Sequence, residues 1–175
     1  MSPTQPLSNF IDLSGLSHAG EEFVITPNSG QRARLAEWAG IDVVDHFESR
    51  VELHKLSSTE FRYHAQVRAD IAQSCVVTLE PVRSHLEFEF SRELQLVRTA
   101  PRVIAENIAP EPADDNVPEL IMDTNYDIAA PLLEEFALAI DPYPRAPGAS
   151  FRPEPDMEGE RESPFAVLKG MKGAR

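Results

Sequence analysis

Glu60-Phe61-Arg62-Tyr63-His64-Ala65-Gln66-Val67-Arg68-Ala69-Asp70-Ile71 is the stretch on which the fold turns. Phe61, Tyr63, Ala65, Val67, Ala69 and Ile71 fall at alternate positions, with Glu60, Arg62, His64, Gln66, Arg68 and Asp70 between them. Successive side chains of a strand point to opposite faces, so this is a strand with one buried and one wet face. The same period holds on either side. Upstream, Phe47, Ser49, Val51 and Leu53 alternate with His46, Glu48, Arg50, Glu52 and His54. Downstream, Leu86, Phe88, Phe90, Leu94 and Leu96 alternate with His85, Glu87, Glu89, Ser91, Glu93 and Gln95, and Arg92 alone breaks the apolar row. Leu56-Ser57-Ser58-Thr59 reads as a hairpin loop, and Gln73–Pro81 as a compact connection too short for a crossover helix. One wet face and short connections predict an antiparallel sheet over about 43–97.

Two helices flank it. Pro27-Asn28-Ser29-Gly30 turns the chain after a short strand candidate, Phe23-Val24-Ile25, and offers Asn28 or Ser29 as an N-cap. Leu35, Trp38 and Ala39 then fall at helical spacing, and Gly40 supplies a left-handed stop. Later, Ile128, Leu132, Phe136 and Ile140 form a stripe over 128–140, with Asp127 as the expected cap and Asp141-Pro142 as the end. The expected class is α+β: an antiparallel sheet of three or more long strands with two or three helices on its apolar face.

Composition sets the boundaries. Of 175 residues, 42% are hydrophobic and 26% charged, which suits a globular core. Four of the 15 prolines lie in 1–100 and eleven in 101–175. Residues 106–162 hold 15 acidic and 3 basic side chains, whereas 163–175 hold three basic and no acidic ones. This divides the chain into an α+β domain over 1–141 with an acidic loop at 98–120, a flexible acidic linker at 142–163, and an apolar-basic peptide at 164–175. The peptide carries Phe165, Leu168, Lys169 and Lys172, and docks either on its own sheet or on a partner.

The net charge of −13 opposes general nucleic-acid binding and excludes a DNA-binding expectation, since such affinity comes from Lys and Arg displacing counterions. It leaves local RNA contact or a basic protein partner. Arg50, Arg62 and Arg68 on the wet face form the candidate RNA- or partner-binding strip, although neighbouring carboxylates can pair with them across strands. The single cysteine, Cys75, excludes an intramolecular disulfide and a Cys-rich zinc site. His18, His46, His54, His64 and His85 are scattered, without metal-ligand spacing. No GxSxG, P-loop or GxGxxG motif occurs. The expectations are no catalytic residues, no cofactor and no metal. No leader or membrane span is expected, which places the protein in the cytoplasm.

Three segments resemble the YceD family, the large ribosomal RNA subunit accumulation proteins. They are Gln73-Ser74-Cys75-Val76-Val77-Thr78-Leu79-Glu80-Pro81, the block Asp127 to Pro147, and Ser163-Pro164-Phe165-Ala166-Val167-Leu168-Lys169. Order and spacing agree over about 70–172. The resemblance implies a role in ribosome biogenesis, as a non-enzymatic factor binding large-subunit ribosomal RNA precursor or a basic ribosomal protein. Many members carry several cysteines near position 75 and after the helix. Here Cys75 stands alone, with Asp141-Pro142-Tyr143-Pro144-Arg145 in the second place, so metal binding does not carry over. An acidic, chaperone-like protein-binding module without RNA contact and an unrecognised hydrolase are the alternatives.

Overall fold

The structure, a computed structural model, describes residues 5–97 and 117–150. Its scaffold is three long strands, β3 (Val43–Lys55), β4 (Glu60–Ser74) and β5 (Pro81–Leu96), joined as successive antiparallel hairpins. Register places Phe47, Ala69 and Leu86 in one layer, Val51, Ala65 and Phe90 in another, and Leu53, Tyr63 and Arg92 in a third. In the first two layers of the apolar face the central strand presents Ala69 and Ala65 between larger neighbours, and in the third Tyr63.

Helix α2 (Ala130–Ala139) covers that face. Its stripe is buried at Leu132, Leu133 and Phe136, and Phe136 meets Phe47 edge to face at 5.4 Å. At its entry the Tyr63 hydroxyl donates to the Ile128 carbonyl at 2.9 Å. Burial raises the Tyr63 pKa above its ordinary value, so the phenol keeps its proton and the donor role. Helix α1 (Ser29–Ala39) closes the β3 side with Leu35 and Ala36. It starts with a capping box, in which Asn28 accepts from the Gln31 N–H and the Gln31 side chain accepts from the Asn28 N–H. Gly40 ends it at φ +67°, in the left-handed region where a Cβ is costly.

The expected antiparallel sheet is corrected in one respect: the sheet is mixed. Five strands run in the order β2 (Glu21–Ile25), β3, β4, β5, β6 (Glu119–Ile121), and β6 pairs parallel to β5. Parallel pairing needs a long return connection, and the segment between Val97 and Glu119 supplies it. Glu119 and Leu120 are thus strand residues, not part of the acidic loop.

A second feature lay outside the sequence reading. Strand β1 (Phe10–Asp12) pairs antiparallel with β7 (Asn125–Asp127). This ribbon changes the expected role of Asp127. It is not the N-cap of α2; that position is Ala129, with no side-chain cap. Asp127 Oδ1 instead accepts from the N–H groups of Asn9 and Ala129, tying the N-terminal segment to the entry of α2.

Candidate functional site

The wet face of the sheet is the surface the sequence singled out. Arg50 lies on β3, and Arg62 and Arg68 on β4. Arg50 faces Gln66 across the ladder, and Arg68 faces Glu48, so Arg50 and Arg68 are diagonal neighbours. With Glu48 and Gln66 they line a shallow depression of about 140 Å³. A second depression of about 320 Å³ continues it toward β5, past Gln66, Arg68, Glu87 and Glu89. Arg62 does not join them: it stands six residues along β4 from Arg68, roughly 20 Å away at strand rise.

Each of these arginines meets a carboxylate. Arg50 pairs with Glu22 at 3.4 Å, Arg62 with Glu93 at 3.4 Å, and Arg68 with Glu87 at 2.8 Å. The hydrogen bond to Glu87 holds the Arg68 guanidinium above its usual pKa. Glu48, Glu52, Glu60, Asp70 and Glu89 share the face, so acid outnumbers arginine there.

The histidines are held separately. His46 sits 3.9 Å from Glu48, His54 3.9 Å from Glu52, His64 3.0 Å from the Ser91 hydroxyl, and His85 2.7 Å from Asp70. His18 lies on the Lys55 carbonyl at 3.0 Å. No group of three or more His, Cys, Asp or Glu among the described residues is arranged to hold a metal ion. A cleft of about 490 Å³ between α1 and the start of β3 is lined by Arg32, Glu37, Asp42 and Asp45, with no hydroxyl–histidine or thiol–histidine pair.

Cys75 is buried at the turn from β4 to β5. Its sulfur accepts from the N–H groups of Val77 and Thr78, each at 3.4 Å, and Ala146 at 3.3 Å. Hydrogen bonding from Thr78, then from the Ala146 and Val77 amides, outweighs burial and pulls the thiol down to about 6. The Val76 N–H also donates to the Pro144 carbonyl, so the chain after α2 is fastened to this turn. Leu79 takes a left-handed φ of +61° and is 78% exposed beside it. The compact-turn reading of 73–81 carried no signal for either feature. A left-handed leucine becomes visible only when the backbone is seen.

Arg92, the residue that broke the apolar row, has a structural explanation. It reaches Glu134 on α2 at 2.7 Å, Glu135 at 2.9 Å and Glu119 on β6 at 3.5 Å, while its guanidinium sits 5.7 Å from the Phe90 ring centre. Burial opposes its charge, but the hydrogen bonds to Glu135 and Glu134 outweigh that and hold it above its usual pKa. The sites at Phe165, Leu168, Lys169 and Lys172 lie outside the described residues.

These features define a sheet-based module with a charged outer surface and a fastened cysteine turn. The chain belongs to the family described as large ribosomal RNA subunit accumulation protein YceD, whose model matches residues 63–172. That span begins inside β4 and takes in the Cys75 turn, α2 and the basic terminal segment. No curated protein and no solved structure matches the chain.

Proposed function

We propose that this protein is a non-enzymatic accessory factor for accumulation of large-subunit ribosomal RNA, and that it works by holding a basic ribosomal protein. The family assigns the process. The observation that favours a protein partner is the state of the wet face, where Arg50, Arg62 and Arg68 are each occupied by a carboxylate. RNA phosphates would have to displace Glu22, Glu93 and Glu87 and then meet the remaining acids. A Lys- and Arg-rich protein meets the same surface with complementary charge. Phe165, Leu168, Lys169 and Lys172 form a second set of contacts in this reading, and the cytoplasm, where subunits assemble, is its place of action.

A second reading keeps direct contact with precursor RNA, supported by the shared depression between Arg50 and Arg68. Affinity capture from cell extract with and without ribonuclease separates the two. A basic ribosomal protein retained after ribonuclease supports the first, and complete loss of every ribosomal component supports the second. Deleting the gene should lower mature large-subunit RNA relative to small-subunit RNA. An unchanged ratio in fast growth and in the cold would refute the assignment to this process.

A further inference from the structure

The apolar face of the sheet is unevenly sealed. On β3 and β4, Val51, Leu53, Tyr63, Ala65, Val67 and Ala69 are at most 1% exposed. On β5 the corresponding row, Leu86, Phe88 and Phe90, is only half-buried. The outer edge of β5 before Leu94 also pairs with no strand among the described residues, because β6 reaches only Leu94 to Leu96. A long edge beside half-open aromatics is a surface that another segment can cover.

We propose that in the free protein this surface is covered by the chain's own segment 164–172, with Phe165 and Leu168 over Leu86, Phe88 and Phe90. Three observations select this occupant. The first is where the described chain leaves the domain. The Pro144 carbonyl and the Ala146 amide are bound to Val76 and Cys75, at the end of the sheet where β5 begins. The second is reach. Phe88 lies seven residues along β5 from Pro81, roughly 23 Å at strand rise. Fourteen residues lie between Ser150 and Phe165, enough to span about 50 Å when extended.

The third is charge. On the apolar side the β5 row runs to Arg92, which is outnumbered by Glu119, Glu134 and Glu135, and residues 163–175 carry Lys169, Lys172 and Arg175 with no acid. The other candidate within the chain, residues 98–116, sets Glu106, Glu111, Asp114 and Asp115 against only Arg98 and Arg102, a net charge of −2, and so is the poorer match to these acids. This inference stands apart from the identity of the partner.

The test places the photoreactive residue benzoylphenylalanine at position 165 of the full-length, otherwise native chain. After irradiation at low micromolar concentration, the adduct is mapped by proteolysis and mass spectrometry. The expected product is an intrachain link to residues 84–92. A crosslinked dimer, which would make a second copy the occupant, overturns the proposal. So does a link elsewhere in the chain, or no link at all. A second measurement compares amide hydrogen exchange of the native chain with that of the double variant Phe165→Asp, Leu168→Asp. Exchange at 84–92 should accelerate at least tenfold while residues 61–67 stay unchanged. Equal exchange at 84–92 in the two proteins, or an equal rise in both regions, would count against local docking.

Discussion

Replacing Arg92 by Met tests the reading of the cation that interrupts the apolar row of β5. The substitution keeps the aliphatic stem beside Phe90 and removes the charge. Four contributions set the magnitude. The Glu135 contact is short, at 2.9 Å, and its two side chains are only 23% and 29% exposed. A charge-assisted bond in that setting contributes about 1–1.5 kcal/mol. Glu134 is closer, at 2.7 Å, but 61% exposed, which reduces it to about 0.3–0.5 kcal/mol. Glu119, at 3.5 Å, adds about 0.3 kcal/mol. The cation–ring contact adds about 0.5 kcal/mol. Arg92→Met should therefore lower stability by about 2–3 kcal/mol, read by urea denaturation at low salt, with a fall in Tm of roughly 6–9 °C. Burial rather than distance orders the partners, so Glu135→Gln should cost more than Glu134→Gln. A loss below about 0.5 kcal/mol for Arg92→Met, or the reverse order of the two glutamates, would refute the reasoning.

Other outcomes follow from the Cys75 turn and the metal-free reading. The folded thiol titrates near 6, below its unfolded value, so its contribution to stability is fully present above about pH 9 and is lost as pH falls through 6. Native protein should gain stability between those limits relative to Cys75→Ser, and parallel pH profiles would contradict this. Leu79→Gly relieves a left-handed φ of +61° and should leave stability unchanged or raise it by up to about 1 kcal/mol; a loss above 1 kcal/mol would show that the exposed leucine packs on something. Incubation with a chelator should leave Tm unchanged, and a drop of several degrees would reveal a bound ion.

β3, β4 and β5 were legible because strand alternation is a local consequence of backbone geometry, and each is long enough for the alternation to stand out. The ends of α1 were legible for a similar reason: Asn28, Gln31 and Gly40 act within a turn of one another. β1, β6 and β7 were not, because three residues show no period and their partners are remote. Phe10 pairs with Asp127, and Leu94 with Glu119. Asp127 looked like a cap because a cap is the usual local use of Asp before a helix, yet the ribbon gave it a partner in Asn9 that only the folded chain brings near.

On the candidate site, residue type placed Arg50, Arg62 and Arg68 on one face, since all three occupy even positions of paired strands. It did not say that Arg50 and Arg68 share a depression while Arg62 stands apart, because that depends on the register between β3 and β4. Nor did it give the carboxylate that occupies each one. By itself the sequence determined the alternating faces, the capped helix, the acidic balance and the family resemblance, all of which are carried by local periodicity, composition or short motifs. Tertiary structure alone decided the mixed sheet, the three-carboxylate seat of Arg92 and the hydrogen-bonded Cys75. The first two, and the Ala146 bond to Cys75, depend on groups far apart in the chain, and their meeting is fixed by strand order and packing, which no local pattern encodes; the Val77 and Thr78 bonds to Cys75 are local but follow from the turn's backbone conformation.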